Sequence, residues 1–351
     1  MRRTAVGALL ALLGTALTAQ LLLPGAVAGG DTEAARSADA ARPAVSVTAA
    51  ASGTAPVHGS AAGAAGAART ANGVFTGSGA DGIARLARFE KWRGRGPLTA
   101  GRTYLPGDDW ESIEGPVAFL RPWSVWRAAR AGRFVALNVP MLDRSEARLS
   151  DARVAALLKA GAAGRYDRHF TVLARRLVSL RLADTVLVLG WEMNGVTYTH
   201  RCHPAPDRWR AYWRRIVRAM RAVKGQRFRF DFAPSRGRDA VPWTRCYPGD
   251  AYVDVIGMDS YDQPRRATFR QQVEEPYGLR AQVTFARRHR KAVSYPEWGL
   301  FRNGDDPAYM RGMLDWFRRH PPLYQSLSDY CPHGVWACGR HPRSAKVYRG
   351  R

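Results

Sequence analysis

The sequence predicts an α/β protein whose main domain is a single (β/α)8 barrel, the TIM-barrel fold. Short apolar strands alternate with amphipathic helices over most of the chain, which is typical of a parallel sheet covered by helices. The strands are apolar on both faces, as buried parallel strands are. Residues 73–351 make up 279 of the 351 residues, close to the roughly 250 residues of one barrel.

Six segments rich in Val, Ile and Phe are the clearest strand candidates. They are residues 73–77, 134–140, 185–190, 228–233, 253–258 and 291–295. A second strand at 85–89 or 102–105 and a last strand at 323–330 bring the count to eight. Residues 342–351 are expected to form a closing helix.

The strongest helical pattern covers residues 207–224, where large apolar side chains recur at i, i+3, i+4 and i+7. Asp207 is the expected N-cap and Gly225 the expected stop. A second apolar stripe runs from Tyr166 to Leu180. We interpret these aromatic side chains as core rather than as cofactor contacts, and no cofactor is predicted.

The N-terminal part of the chain is interpreted as targeting sequence and linker. Residues 1–28 combine a basic start, an apolar stretch and a small-residue cleavage signal, which predicts a signal peptide and a secreted, extracellular protein. An uncleaved anchor that keeps the protein at the cell envelope is the alternative. Residues 29–72 are rich in Ala, Gly, Ser and Thr and predict a disordered linker.

The formal net charge is +25, from 54 Lys and Arg residues against 29 Asp and Glu residues. Only five of the basic residues are lysines, and the arginines are spread along the chain. This distribution favours a compositional bias with a basic surface, and the alternative is contact with an anionic cell-wall polymer. Nucleic-acid binding is not predicted, because no helix-turn-helix, zinc-finger or aromatic RNA-binding signature accompanies the charge.

Four cysteines in an exported protein predict two disulfides, and three pairings are possible. We favour Cys202 with Cys246, which would tie together loops that follow successive strands. Cys331 with Cys338 would then close a short loop near the C-terminus. The segment His200-Arg201-Cys202-His203 predicts no metal site, because adjacent ligands do not easily turn to one ion.

Two predicted strands lead into glutamates that lie beside tryptophans. Glu192 is in GWEMNG, residues 190–195, and Glu297 is in YPEWG, residues 295–299. A carboxylate at the end of an apolar strand is costly unless it is hydrogen-bonded, paired or open to a cleft. Aromatic rings stack on sugar faces, and two carboxylates are what glycoside hydrolysis needs. The alternative is that both glutamates form salt bridges with arginines at the barrel rim.

The segments GWEMNG (190–195), VDVIGMDSY (253–261) and PEWG (296–299) resemble motifs of strands four, six and seven in glycoside hydrolase family 26. This is a retaining (β/α)8 family that includes endo-β-1,4-mannanases. Residues 89–110 and 342–349 are also similar to actinobacterial members. The resemblance implies that Glu192 is the general acid/base and Glu297 the nucleophile. It also implies that Tyr261 donates a hydrogen bond to the nucleophile and that Asn194 or Trp298 contacts the sugar.

One position departs from the family pattern. Well-known mannanases of the family carry histidine before the acid/base, and this chain has Trp191, which would line and narrow the pocket. His200 and His203, in the following loop, would either take the place of the family histidine in space or lie at the surface. Candidate stacking platforms elsewhere are Trp243, Trp336 and Trp110, each with plain packing as its alternative.

The expected function is that of a secreted, monomeric, retaining glycoside hydrolase that acts on a β-linked polysaccharide, mannan first. Burial between Trp191 and Met193 is expected to raise the pKa of Glu192, while a tyrosine donor favours the charged form of Glu297. The alternative is a cell-surface glycan-binding barrel that has lost turnover.

Overall fold

The computed structural model describes residues 70–350. The predicted signal peptide, and the predicted linker up to residue 69, lie outside this range. Within residues 70–350 no helix is both long and apolar enough to cross a membrane.

Eight parallel strands follow one another along the described chain. They are β1 Ala71–Phe75, β2 Ala100–Tyr104, β3 Phe134–Val139, β4 Val186–Leu189, β5 Arg229–Phe232, β6 in the pieces Val255–Ile256 and Ser260–Tyr261, β7 in the pieces Ala292–Val293 and Tyr295–Gly299, and β8 Tyr324–Ser328. Strands β1 to β6 pair in sequence order. The first pieces of β6 and β7 pair with each other, and so do their second pieces.

The ring closes because β7 also pairs with β8, and β8 pairs with β1. Ala71 lies opposite Tyr324, and Phe75 lies opposite Ser328. Every strand therefore has two neighbours, and the predicted (β/α)8 barrel is confirmed.

The helices lie between successive strands, except for the last one, which follows β8. They are α1 Gly79–Arg93, α2 Trp110–Ile113, α3 Val117–Ala128, α4 Asp151–Ala162, α5 Asp167–Ser179, α6 Pro206–Arg221, α7 Phe269–Glu274, α8 Leu279–Arg288, α9 Pro307–Arg319 and α10 Pro342–Arg349. Two 3₁₀ turns, Trp243–Cys246 and Asp250–Tyr252, lie between β5 and β6.

Some predicted boundaries need correction. β1 begins at Ala71, inside the predicted linker, and residues 85–89 belong to α1 rather than to the second strand. The N-cap of α6 is Ala205 rather than Asp207, because Pro206 takes the first helical position, where its fixed φ fits. Strand β7 continues to Gly299, so Glu297 lies within the strand instead of after it.

Alternation along β2 shows how the barrel directs its side chains. A Cβ at Gly101 would lie within 3 Å of Trp123 and Trp126, so position 101 faces α3 on the outside. Arg102 then faces the opposite side, the barrel interior, where it is fully buried. Asn138 of β3 and Asp231 of β5 are buried there as well. The interior therefore contains polar side chains, which share it with an apolar cluster that includes Ala100, Ala136 and Val186.

Candidate active site

Glu297 is held inside the barrel by two hydrogen bonds from neighbouring strands. Its Oε1 accepts a bond of 2.6 Å from Nη2 of Arg102 on β2, and its Oε2 accepts a bond of 2.6 Å from the hydroxyl of Tyr261 on β6. The residue is 5% exposed. A buried carboxylate needs such partners, because an unpaired charge in the interior is costly.

The two donors are themselves fixed. The Tyr261 hydroxyl lies 2.8 Å from Oγ of Ser328 and, since it donates to Glu297, it accepts from this serine. Arg102 also donates to Oδ1 of Asn138 at 3.3 Å and to the hydroxyl of Tyr104. Burial alone would lower the pKa of Arg102, yet Glu297 and other acidic neighbours raise it above its usual value, so the guanidinium stays charged.

Glu192 lies in the turn that follows β4 and has a backbone φ of +51°, a left-handed conformation that is uncommon for a residue other than glycine. Its backbone N–H donates to the carbonyl of Ala233 at 2.8 Å. Strained backbone of this kind is concentrated at functional sites. The turn lies just beyond the carboxyl end of β4, and Glu192 remains partly exposed there.

The surroundings of the Glu192 carboxyl favour its neutral form. Burial raises its pKa to about 8, and the negative charge of Glu297 adds to the increase. A hydrogen bond from Ser235 and the charge of Arg102 act in the opposite direction and are weaker. Glu192 has no salt bridge in the described part of the chain, so the rim salt bridge considered from the sequence is absent here, while Glu297 has a buried one.

The two glutamates therefore differ in their surroundings although they interact with each other. Burial favours the neutral form of the Glu192 carboxyl, whereas the Glu297 carboxyl is paired with a guanidinium and a phenol. This is the division of roles that a proton donor and a nucleophile require.

A third carboxyl group, which the sequence reasoning missed, lies in the same interior. Asp259 of the β6 segment is 2% exposed, and neither of its carboxyl oxygens has a hydrogen-bond partner among residues 70–350. Burial raises its pKa well above the usual value, and the acidic neighbours Glu297 and Glu192 act in the same direction.

Trp191 forms one wall of the site. Its ring lies 5.4 Å from that of Tyr104 and 5.0 Å from that of Tyr198. His200 lies beneath it, fully buried, with Nε2 at 3.0 Å from the Trp191 carbonyl. The expectation of a surface position for His200 is therefore wrong, because the ring packs under the turn. His203 is partly exposed and lies near Asp151.

Asn194 is buried and uses its side chain to join two loops. Its Nδ2 donates to the carbonyl of Ser235 at 3.1 Å, and its Oδ1 accepts from the N–H of Ser235 at 2.9 Å. The predicted sugar contact is wrong for this side chain, because its amide is committed to backbone that sits beside Glu192.

Two predicted platforms are core residues. Trp298 follows Glu297 on the strand, so it points outwards, packs on Phe317 and Tyr348, and donates from Nε1 to Gln325. Trp243 donates to the carbonyl of Tyr277 at 2.9 Å. Both tryptophans have no exposed surface, so the predicted substrate contacts at Trp298 and Trp243 are wrong.

The predicted disulfides are present. Cys202–Cys246 joins the loop after β4 to the turn after β5, and Cys331–Cys338 closes the loop after β8. Both pairings stabilise loops at the end of the barrel where the glutamates lie.

Arg102, Tyr104, Asp259 and Ser328 belong to the site and were not predicted. Strand alternation was the available signal, since a charged side chain in the middle of a buried strand must face either a partner or a cavity. The sequence could not show which strands would place partners opposite it.

A (β/α)8 barrel that holds one glutamate of raised pKa and a second one paired with an arginine is an arrangement suited to glycoside hydrolysis. The family that the chain resembles is glycosyl hydrolase family 26, whose family model matches residues 186–288. The matched segment contains Glu192 and Tyr261 and ends before Glu297. The resemblance is thereby confirmed, with two of the three motifs (190–195 and 253–261) inside the matched segment, and the prediction of a glycosidase is confirmed as well.

Solved structures of mannanases share the fold. The chain aligns with Bacillus subtilis mannanase BCman at a TM-score of 0.59 and 17% identity, covering 80% of this chain and 84% of that one. A Cellulomonas fimi endo-beta-1,4-mannanase double mutant gives 0.54 and 19%, covering 80% and 76%. A beta-mannanase from a symbiotic protist of the termite Reticulitermes speratus, complexed with gluco-manno-oligosaccharide, gives 0.57 and 16%, covering 80% and 86%. No curated protein matches the chain.

Proposed function

We propose that this glycosidase hydrolyses a β-linked polysaccharide of the mannan type with retention of anomeric configuration. The observation that carries the proposal is the difference between the two glutamates: Glu192 has a pKa of about 8, whereas Glu297 is a buried carboxylate held by Arg102 and Tyr261. The mannanase fold of the solved neighbours supports mannan as the first substrate to test.

In the first step, Glu297 attacks the anomeric carbon while the neutral carboxyl of Glu192 gives its proton to the departing glycosidic oxygen. The carbon–oxygen bond to the leaving sugar breaks as the ester bond to Glu297 forms. Tyr261 and Arg102 orient the nucleophile, so little reorganisation is needed when the transition state forms.

In the second step, Glu192, now ionised, takes a proton from water, and the resulting oxygen nucleophile attacks the anomeric carbon. The ester bond breaks, and Glu297 recovers its charge and its two hydrogen bonds. Esterification removes the negative charge of Glu297, which favours the ionised form of Glu192 that this step requires.

Export of the protein is part of the proposal. The two disulfides support it, because such bonds persist in oxidising compartments. Mass spectrometry of protein recovered from the culture medium should give an N-terminus at residue 29. An intact residue 1 on cell-bound protein would support the anchored alternative.

The test of the activity uses the purified full chain on β-mannan, mixed-linkage β-glucan and β-1,3-xylan, with Glu297→Ala as the control. We expect reducing ends to be released from mannan by the wild type only. Proton NMR of the first product should show the β-anomer before mutarotation. The α-anomer as first product would contradict retention, and equal release by the variant would remove the nucleophile assignment.

A glycan-binding barrel without turnover gives a different result. The protein would then be retained on the polysaccharide in a pull-down, and neither natural nor aryl glycosides would be cleaved by the wild type.

A further inference from the structure

The loop after β8 places a histidine against Tyr261. His333 lies in the segment closed by the disulfide Cys331–Cys338 and is 8% exposed. Its ring centroid lies 4.4 Å from that of Tyr261, at an interplanar angle of 43°. Tyr261 is the residue whose hydroxyl donates to Glu297.

His333 is also tied to the strand that carries the nucleophile. Its Nδ1 lies 2.7 Å from the carbonyl of Leu300, which can only accept, so Nδ1 carries the proton. The N–H of Leu300 donates to the carbonyl of His333 at 3.2 Å. Leu300 directly follows β7, which contains Glu297. One residue therefore joins the strand of the nucleophile to the ring of its hydrogen-bond donor.

The loop has anchors of its own. The carboxylate of Asp329 accepts hydrogen bonds from the N–H groups of Trp336 at 2.8 Å and Ala337 at 3.1 Å. The N–H of Asp329 donates to the carbonyl of Phe75 on β1 at 2.8 Å. With the disulfide, these bonds fix the loop independently of Tyr261, so the loop can act as a support for the ring.

We propose that His333 is a positioning residue for the hydrolysis. It holds the ring of Tyr261 so that the phenol meets Glu297, and the disulfide Cys331–Cys338 holds His333. The inference rests on the proposed function, in which Glu297 is the nucleophile. A displaced phenol leaves the nucleophile with one donor fewer and less well aligned, and misplacement of about 1 Å can cost about 100-fold in rate.

The first test is a double-mutant cycle between His333→Asn and Tyr261→Phe, measured as kcat/KM on β-mannan and on 4-nitrophenyl β-mannobioside. Asparagine can still donate to the Leu300 carbonyl but lacks the ring. We expect His333→Asn to lower kcat by about 10- to 100-fold with little change in KM. In the Tyr261→Phe background the same substitution should have almost no further effect, because the phenol through which it acts is absent.

Two variants separate the contacts of His333. His333→Phe keeps a ring against Tyr261 and loses the donor to Leu300, so it should retain more activity than His333→Asn. The variant Cys331→Ser/Cys338→Ser should also lower kcat. Combined with His333→Asn, it should lower kcat no further than His333→Asn alone. The matched control is His169→Asn, which removes a buried histidine that stacks on Trp110 and hydrogen-bonds to Glu114 on the helical side of the barrel. It should leave kcat unchanged.

The second test does not depend on turnover. Protein labelled with 3-fluorotyrosine gives a fluorine NMR resonance for Tyr261 that is identified by its loss in Tyr261→Phe. We expect this resonance to shift and broaden in His333→Asn and in the disulfide variant, and to stay in place in His169→Asn.

The outcomes separate the two proposals. A wild type that cleaves no glycoside overturns the proposed function, whatever the fluorine spectra show. If the wild type is active, the positioning role is overturned when the reductions in kcat/KM caused by His333→Asn and by Tyr261→Phe multiply in the double variant. An unchanged Tyr261 resonance in His333→Asn overturns it as well.

Discussion

Glu192 and Glu297 occupy contrasting places in the barrel. Glu297 lies within a strand, is 5% exposed, and is paired with a guanidinium and a phenol. Glu192 lies on a left-handed turn beyond a strand, has no ion pair in the described chain, and has a pKa raised to about 8 by burial and by the charge of Glu297. The comparison shows that backbone placement decides the role of each carboxyl, because it decides which partners the carboxyl can reach.

The largest effect is expected for Glu297→Ala. Loss of the nucleophile should lower kcat by about 10⁵-fold, as removal of covalent nucleophiles does in other hydrolases. Added azide should attack the substrate directly in the space left by the carboxylate and give the α-glycosyl azide from an aryl β-glycoside. Formation of the β-azide would mean that Glu297 is not the nucleophile.

For Glu192→Ala the effect should depend on the leaving group. Loss of a general acid should lower the rate on mannan by about 10²- to 10⁴-fold. The rate on a dinitrophenyl glycoside should fall much less, because dinitrophenolate leaves without a proton. Azide should here give the β-azide, because it intercepts the glycosyl-enzyme. An equal loss of rate on mannan and on the dinitrophenyl glycoside would show that Glu192 is not the general acid.

Arg102→Leu should destabilise the protein by about 3–5 kcal/mol, because it leaves the carboxylate of Glu297 buried without its cation. The measurement is urea unfolding at pH 7. Combining Arg102→Leu with Glu297→Gln should restore much of the loss, since neither charge remains. A loss of similar size in the double variant would show that Arg102 stabilises the barrel by packing alone.

The pH dependence of kcat/KM should show a basic limb near pH 8. The pKa of Glu192 is raised above its ordinary value, so its proton is retained at neutral pH and lost above about pH 8.

The same shift in the pKa of Glu192 means that the folded state gains stability from protonated Glu192 at acid pH and loses it as pH rises through 8. Glu192→Gln should therefore raise Tm by a few degrees at pH 8.5 relative to wild type, with the difference shrinking towards pH 4.

Features that depend on residues close together in the sequence can be predicted better than contacts between residues far apart along the chain. Strand and helix positions follow from local periodicity, and the two glutamates stand out because a carboxylate after an apolar run needs a reason. Cysteine pairing also followed, once the strand order placed the two loops side by side.

The sequence does not predict contacts between side chains on strands that are far apart along the chain. Nothing local shows that Arg102 meets Glu297, 195 positions away along the chain. The family resemblance implies a sugar contact for Trp298, and a position in a predicted loop makes Trp243 a candidate stacking platform. Alternation on a closed sheet turns Trp298 outwards, and the turn after β5 buries Trp243.

The central claim is that Glu192 is kept neutral by its surroundings, including the charge of Glu297. Carbon-13 NMR titration of the Glu192 carboxyl, in wild type and in Glu297→Gln, tests it most directly. We predict a pKa of about 8 in the wild type and a lower value in the variant, where the neighbouring charge is gone. A wild-type pKa near the ordinary glutamate value, unchanged in the variant, would contradict the account.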